Sequence, residues 1–390
     1  MTEKIVLNYV VIYMKSIKFS CGFSDENVLG EKRTGAVSGD TITLYLTELL
    51  NGAGYRVELI SATKTIDGGK HSQGKTVRMG NNSLIVSPAI GGRGKLIKAF
   101  KALYQNLWLL FYLIKNTQRR EKILLYHTIS EIPALLLAKK LKKLVFIDYV
   151  GEIYHQVSHH SKMNIFLENR ILSKVDRYIF SSPLLNEKIN LTGKPSMIMY
   201  GAFTNTPVYS TETHEGIKVV YAGIINENKG AFTLCDVSKY LDAHYSIHII
   251  GFGEEEDIKK LQDKISIINQ ESECQVVFDG LLKGTEYQKY LQGCDIGICP
   301  QITDEAYNSV SFPSKISVYM SNGLNVLVPD IPVMRHSSMK QYFNYFQEYA
   351  PYEIAMSLKN ITLKSSCEIR KLIDELGRQT LISLENLIND

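Results

Sequence analysis

The sequence predicts an α/β protein made of two successive doubly wound units with helices at the C-terminus. Three observations carry that expectation. Short apolar runs alternate with helical patterns up to about residue 205, and the same rhythm restarts after it. A polar connector with no strand pattern, "NTPVYSTETHEG", separates the two series. The 390 residues also exceed what one hydrophobic core usually holds. The expected divisions are 1–205, 206–350 and a helical segment 351–390.

In the first series "KIVLNYVVIY" reads as a buried strand, and a long polar, Gly-containing loop follows it. "DTITLYLTELLNGAGY" reads as a helix that closes at Gly52 and Gly54, and "RVELISA" as the next strand. "ILLYHT" is a strand, "IPALLLAKKLKK" a helix and "LVFIDY" a strand; a polar helix near 160–174 and the strand "RYIFSS" complete the series. The second series opens on the strand "IKVVYAGII" and the helix "AFTLCDVSKYLD", then "YSIHIIGFG" and "EEEDIKKLQDKI". "CQVVFDGLL", "GTEYQKYLQGC" and "DIGICPQ" continue it as strand, helix, strand, before "SVSFPSKISVYMSNGLNVLVPD" closes it. Strand and helix alternating in this way argue for parallel sheets covered on both faces.

A hydrophobic fraction of 45% and a charged fraction of 22% are those of a soluble globular chain. "MTEKIVLNYV" lacks the pattern of a signal peptide, and the apolar run "LWLLFYLI" is too short to span a bilayer. Six scattered cysteines with no CxxC pair fit reduced thiols in a cytoplasm rather than a disulfide framework or a zinc site. Charge is uneven: residues 1–200 hold 28 Lys and Arg against 15 Asp and Glu, and the remainder 16 against 25. A basic first half calls for an anionic acceptor or a membrane surface; no nucleic-acid motif is present.

Ligands of parallel sheets bind beyond the carboxyl ends of the strands, where loops enter helices. Three loops of the second series qualify: "IINENKG" with Lys229 and Gly230, "FGEEE" after Gly251 with Gly253, and the approach to "SFPSK". In the last, Ser311 can cap a helix whose first turn holds Pro313, and Ser314 with Lys315 would favour an anion at the helix start. Each loop also has a plain reading, as helix punctuation or turn geometry.

Taken in order, Lys-Gly after one strand, Gly-x-Gly after the next and "FPSKISVYMSNGLNVLV" last, these elements resemble the donor-binding domain of GT-B glycosyltransferases of the large retaining class, family 4 or group 1. The resemblance covers roughly 218–335 well. The first half matches loosely, through "SGDTITLYLTELLNGAGYRVELIS", "KVDRYIFSSPLL" and "MIMYGAF". It implies two Rossmann-like domains facing a cleft, and a sugar-nucleotide diphosphate held by Lys229, Ser314 and Lys315 with Gly39, Gly230, Gly251, Gly253 and Ser311 around it. The chain departs from the family at three positions: Ile224 replaces an arginine, and Val310 and Val318 replace paired glutamates. "KISVYMSNGLNVLV" nevertheless looks like a form found in some bacterial surface-glycan transferases. Asp304 and Glu305 offer substitute contacts to sugar hydroxyls.

For the acceptor side the resemblance points to the loop Gly35–Asp40, to His127–Ser130 and to Asp148–Glu152. Asp148 and Glu152 are the candidate catalytic and acceptor contacts beside Lys229, with His127 a further acceptor contact; each also reads as an ordinary strand-end residue. His155, His159 and His160 close no metal site, and the fold class usually works without a metal or other cofactor. "GKLIKAFKALYQNLWLLFYLIKNTQRREK" puts Leu96, Phe100, Leu103, Leu107, Leu110 and Ile114 on one stripe with lysines nearby. That pattern suits either peripheral contact with an anionic membrane or a core helix with a solvated Lys face.

The implied activity is transfer of a sugar from a nucleotide-diphosphate donor to a glycan or polyprenyl-linked acceptor, with retention. Its setting would be the cytoplasmic assembly of a capsule- or O-antigen-type polysaccharide. A non-catalytic partner of such an enzyme and a sugar-nucleotide epimerase of the same fold are the alternatives.

Overall fold

A computed structural model describes residues 15–35, 37–66, 68–154, 161–210, 214–226, 230–300 and 310–389. The chain packs as two compact units, one up to Ile147 and one from Asp148 to Ile388.

The strands before residue 200 are β1 (Lys15–Cys21), β2 (Tyr55–Ser61), β3 (Lys75–Met79), β4 (Asn82–Val86), β5 (Lys122–Tyr126), β6 (Val145–Val150), β7 (Arg177–Phe180) and β8 (Ser196–Ile198). Their order is β3-β4-β2-β1-β5-β6-β7-β8. β1 lies between β2 and β5 and is parallel to both, with Phe19 opposite Leu59 and Leu124. Helix α1 (Val37–Gly52) connects β1 to β2. Helices α2 (Lys95–Asn116) and α3 (Ile132–Lys142) flank β5 in sequence and pack together, Asn106 linking them through Ser130 O at 2.8 Å and Ala134 N at 3.1 Å.

Two features of this half differ from expectation. "KIVLNYVVIY" lies outside the described residues, and the central strand is "KSIKFSC", which by its two lysines and two serines reads as loop. It is a strand because Ile17, Phe19 and Cys21 are buried, while Lys18 is paired with Glu121 at 2.7 Å. The β3–β4 hairpin, antiparallel at the sheet edge, falls in a stretch for which the sequence pattern assigns no element.

The second sheet contains β9 (Ile217–Ile225), β10 (Tyr245–Gly253), β11 (Gln275–Phe278), β12 (Ile296–Ile298), β13 (Asn325–Pro329) and β14 (Asn344–Phe346). Their order is β11-β10-β9-β12-β13-β14, and every pairing is parallel. In sequence terms this is 3-2-1-4-5-6, the doubly wound order whose direction reverses between β9 and β12. Val219, Tyr221, Ile247, Ile249, Leu234 and Leu261 are part of its hydrophobic core. The helices that matter below are α4 (Ala231–Val237), α5 (Ser314–Ser321) and the two tail helices α6 (Pro351–Lys359) and α7 (Ser366–Asn389). Arg370 of α7 donates to Thr206 O at 2.8 Å and Asn322 O at 3.3 Å, binding the tail to the connector and to the end of α5.

Candidate active site

The reversal between β9 and β12 opens a split at their carboxyl ends. Their register covers only Val219–Ile296 and Val220–Gly297, so the next backbone groups lose their strand partners. Tyr319 of α5 fills the split: its hydroxyl accepts from Ala222 N at 2.8 Å and donates to Ile298 O at 3.3 Å. The ring can enter because residue 297 is glycine; a Cβ there would lie 2.3 Å from Tyr319 Cγ. The C-terminus of α5 is closed by a Schellman motif, with Gly323 at φ +85° donating to Met320 O and Leu324 to Tyr319 O.

Lys315 lies one turn before Tyr319, on the same helix face, and so is carried to the mouth of the split. Its ammonium stands 3.9 Å over the Tyr221 ring. It also stands where a side chain on Gly223 would be: a Cβ at Gly223 would approach Nζ to 2.5 Å. The buried Cys299 thiol next to β12 is pushed up to about 11 by burial, with the Lys315 charge pulling the other way. A lysine and the positive end of a helix thus converge where parallel sheets bind ligands.

The chain entering α5 is pinned from several sides. Ser182 accepts from Leu185 N and donates to Val310 O. Phe312 packs on Tyr200 with ring centroids 5.0 Å apart, and Gly201 leaves space for Ser317, whose Oγ would be 2.7 Å from a Cβ there. Pro313, not Ser311, occupies the N-cap position of α5 and gives no side-chain cap, because the helix begins only at Ser314. The Ser311 hydroxyl is buried with no hydrogen-bond partner among the described residues, and Ser314 is exposed at the helix start.

The glycines predicted for the donor side have distinct surroundings. Gly230, at φ +90°, precedes α4 and lies against Pro300 after β12, where a Cβ would meet Pro300 O at 2.7 Å. Gly251 and Gly253 serve close backbone packing: Cβ atoms there would fall 1.7 Å from Gly223 O and 2.3 Å from Ile225 O. Lys229, Asp304, Glu305 and the three histidines 155, 159 and 160 lie outside the described residues. Ile224, where the arginine of the resembling family would stand, is half-exposed at the end of β9.

In the first unit Gly39 lies in α1 against the Tyr126 ring, at 3.4 Å for a Cβ, and His127 is buried directly after β5. Asp40 accepts from Ser24 N at 2.8 Å and Ser24 Oγ at 3.0 Å. Burial raises the Asp40 carboxyl above its ordinary range against those hydrogen bonds. Glu131, unremarked in the sequence, is a fully buried acid that accepts from Ser20 Oγ at 3.0 Å. Burial pushes its carboxyl up to about 7, while Ser20 and the nearby Lys64 pull it down. No local pattern signals its burial, since "TISEIP" reads as an exposed helix start.

In the second unit Asp148 is interior to β6 and buried, near enough to Tyr178 to help raise its phenol after burial itself. Glu152 follows β6 at intermediate exposure. Among the described residues no three His, Cys, Asp or Glu side chains converge as metal ligands.

No family model matches the chain, and no curated protein matches it in sequence. Solved structures match over nearly its whole length. It is similar to a trehalose-6-phosphate synthase studied with bisubstrate glycomimetics for glycosyl transfer with retention, at 10% identity over 96% of this chain and 98% of the other, with a TM-score of 0.66. It is similar to the UDP-forming α,α-trehalose-phosphate synthase of Burkholderia xenovorans in complex with glucose-6-phosphate, at 9% identity over 95% and 98%, TM-score 0.62. HepE of Anabaena in complex with UDP and glucose aligns at 13% identity over 96% and 100%, TM-score 0.59. The fold is that of the GT-B glycosyltransferases.

Proposed function

We propose that the chain is a glycosyltransferase that takes a sugar from a nucleotide-diphosphate donor, with UDP-sugars foremost, and joins it to a glycan with retention at the anomeric carbon. The observation that carries this reading is Lys315, positioned through Tyr319 at the switch point of a 3-2-1-4-5-6 sheet. UDP in the structures of similar fold supports the choice of donor.

The donor diphosphate would lie at the start of α5, with Ser314 and Lys315 against its oxygens and Lys229 a second cation. As the bond from the anomeric carbon to the diphosphate oxygen breaks, negative charge builds on the leaving group, and Lys315 and the helix dipole stabilise it without a metal ion. The acceptor oxygen bonds to the anomeric carbon on the face the diphosphate leaves, and its proton passes to the leaving diphosphate. The acceptor would be a growing polysaccharide on a polyprenyl lipid, met at the cytoplasmic side of the membrane.

Val310 and Val318, where paired glutamates would hold donor sugar and ribose, favour a second reading: a non-catalytic partner of a transferase. Thermal-shift measurements with UDP, other nucleoside diphosphates and their sugars test donor binding. A ligand at 100 times its Kd should stabilise the fold by about 2.7 kcal/mol. No shift with any of them contradicts the donor site; a shift with no transfer or hydrolysis selects the partner reading.

A further inference from the structure

Helix α2 is dressed inside out along its middle turns. Lys101 and Gln105, on its inner face, are each 3% exposed, and Lys101 donates to Gly92 O at 3.0 Å and Ile66 O at 3.3 Å. On the opposite face Leu96, Phe100, Leu103, Leu107 and Phe111 are 88%, 56%, 56%, 44% and 66% exposed. Their spacing of four, three, four and four residues makes one continuous stripe. The expected stripe therefore turns at its end, because Leu110 faces the core and Phe111 takes its place outside. Leu137 and Leu141 of the neighbouring α3 add a second exposed apolar row at 44% and 57%. The helix does pack on the core, through Leu109, Leu110 and Leu113, but the greater part of the expected stripe lies outside it.

Charge identifies what covers this face. No acidic residue occurs between Asp67 and Glu121, and Glu131 is the only one between Glu121 and Asp148, where it is buried. Exposed cations border the stripe instead: Lys95 at one end, Lys115, Arg119 and Arg120 at the other, and Lys140 on α3. Two copies of this chain meeting here would bring like charges together, whereas an anionic bilayer supplies both an apolar interior and phosphate charge. Trp108, half-buried one turn before Phe111 on the flank of the stripe, is the aromatic type enriched at the membrane–water boundary.

We infer that the exposed face of α2 and α3 seats the chain on an anionic phospholipid bilayer, the apolar stripe entering the headgroup boundary and the surrounding cations meeting lipid phosphates. No helix among the described residues is long and apolar enough to cross a membrane, so the attachment is interfacial. The inference rests on the transferase reading only for its purpose, the delivery of a lipid-linked acceptor.

The test is co-sedimentation of the purified full chain with phosphatidylcholine vesicles, with and without phosphatidylglycerol, in the absence of donor and acceptor. Binding should need phosphatidylglycerol and weaken with salt. Leu103→Glu with Phe111→Glu should reduce it at least about tenfold, each change removing apolar area and adding repulsion. Both side chains are exposed, so the melting temperature and the donor-induced thermal shift should be those of the parent. Equal binding by the double variant, binding indifferent to phosphatidylglycerol, or a parent dimer that the variant abolishes would each overturn the inference. Vesicle binding is read without nucleotide sugar. Its failure with the donor shift intact refutes the membrane face alone, and loss of the donor shift with vesicle binding intact refutes the transferase reading alone.

Discussion

Replacing Lys315 by Met keeps most of the side-chain stem and removes the charge that the fold brings to the β9–β12 split. One charge-assisted hydrogen bond to a diphosphate oxygen is worth about 1.5–3 kcal/mol net. At 1.36 kcal/mol per decade, Lys315→Met should lower kcat/KM for donor about ten- to 150-fold. The cation–π contact with Tyr221 at 3.9 Å is lost as well, which costs the fold only about 0.5–2 kcal/mol. Gly223→Ala reaches the same group without touching its charge. The new methyl would start 2.5 Å from Nζ and must push it back about 1 Å to an ordinary contact of about 3.5 Å. Gly223 does not have a positive φ, so the backbone accepts alanine, and the obstructing atom is the tip of a flexible side chain. A displacement of that size at a charge-stabilising group can cost on the order of 100-fold in turnover. Steady-state kinetics of nucleoside diphosphate release, with a thermal melt beside each variant, measure both effects. Both variants folded and within twofold of the parent would refute the placement of the diphosphate at Lys315.

Tyr319→Phe removes the hydroxyl that serves Ala222 N and Ile298 O; leaving those buried groups unpaired should cost about 1–3 kcal/mol each in urea titrations, with donor affinity falling as α5 loses its anchor. Gly251→Ala places a methyl 1.7 Å from Gly223 O at φ +150°, a clash with backbone that should cost at least about 3 kcal/mol, read as a lower urea midpoint or loss of soluble protein. Glu131 gives a pH signature. Its folded carboxyl titrates at about 7 against an ordinary value near 4.5, so between those pH values the folded chain keeps a proton the unfolded chain has released. Stability from this group is therefore greatest below about pH 4.5 and falls by about 3 kcal/mol as pH rises to about 7. Urea titrations at about pH 5 and about pH 8 should show that loss in the parent and lack it in Glu131→Gln.

The second half was legible because its signals are local. "YSIHIIGFG" is β10 residue for residue, and the order of Lys-Gly, Gly-x-Gly and "FPSK" follows from one strand–loop–helix rhythm. What holds the site together was not legible, because its contacts cross the sequence. Tyr319 meets Ala222 from 97 residues away, and the value of Gly223 and Gly297 lies in side chains of α5 that enter their space. β1 hid because a strand that pairs Lys18 with Glu121, 103 residues on, carries the polar residues of a loop. The face of α2 could not be assigned from periodicity either. Leu109, Leu110 and Leu113 face inward while Leu103, Leu107 and Phe111 face out, so apolar residues occupy both sides and only the packed structure tells them apart.

The central claim is that a nucleotide-sugar diphosphate is bound and cleaved at the start of α5. Its most direct test is nucleoside diphosphate release from a panel of nucleotide sugars by the purified chain on phosphatidylglycerol vesicles carrying polyprenyl-linked glycan, with Lys315→Met in parallel. The account predicts release from at least one donor, UDP-sugars first, with glycan extension, and at least about a tenfold loss in the variant. Binding and release absent for every donor, or a donor sugar converted while still joined to its nucleotide, would contradict it.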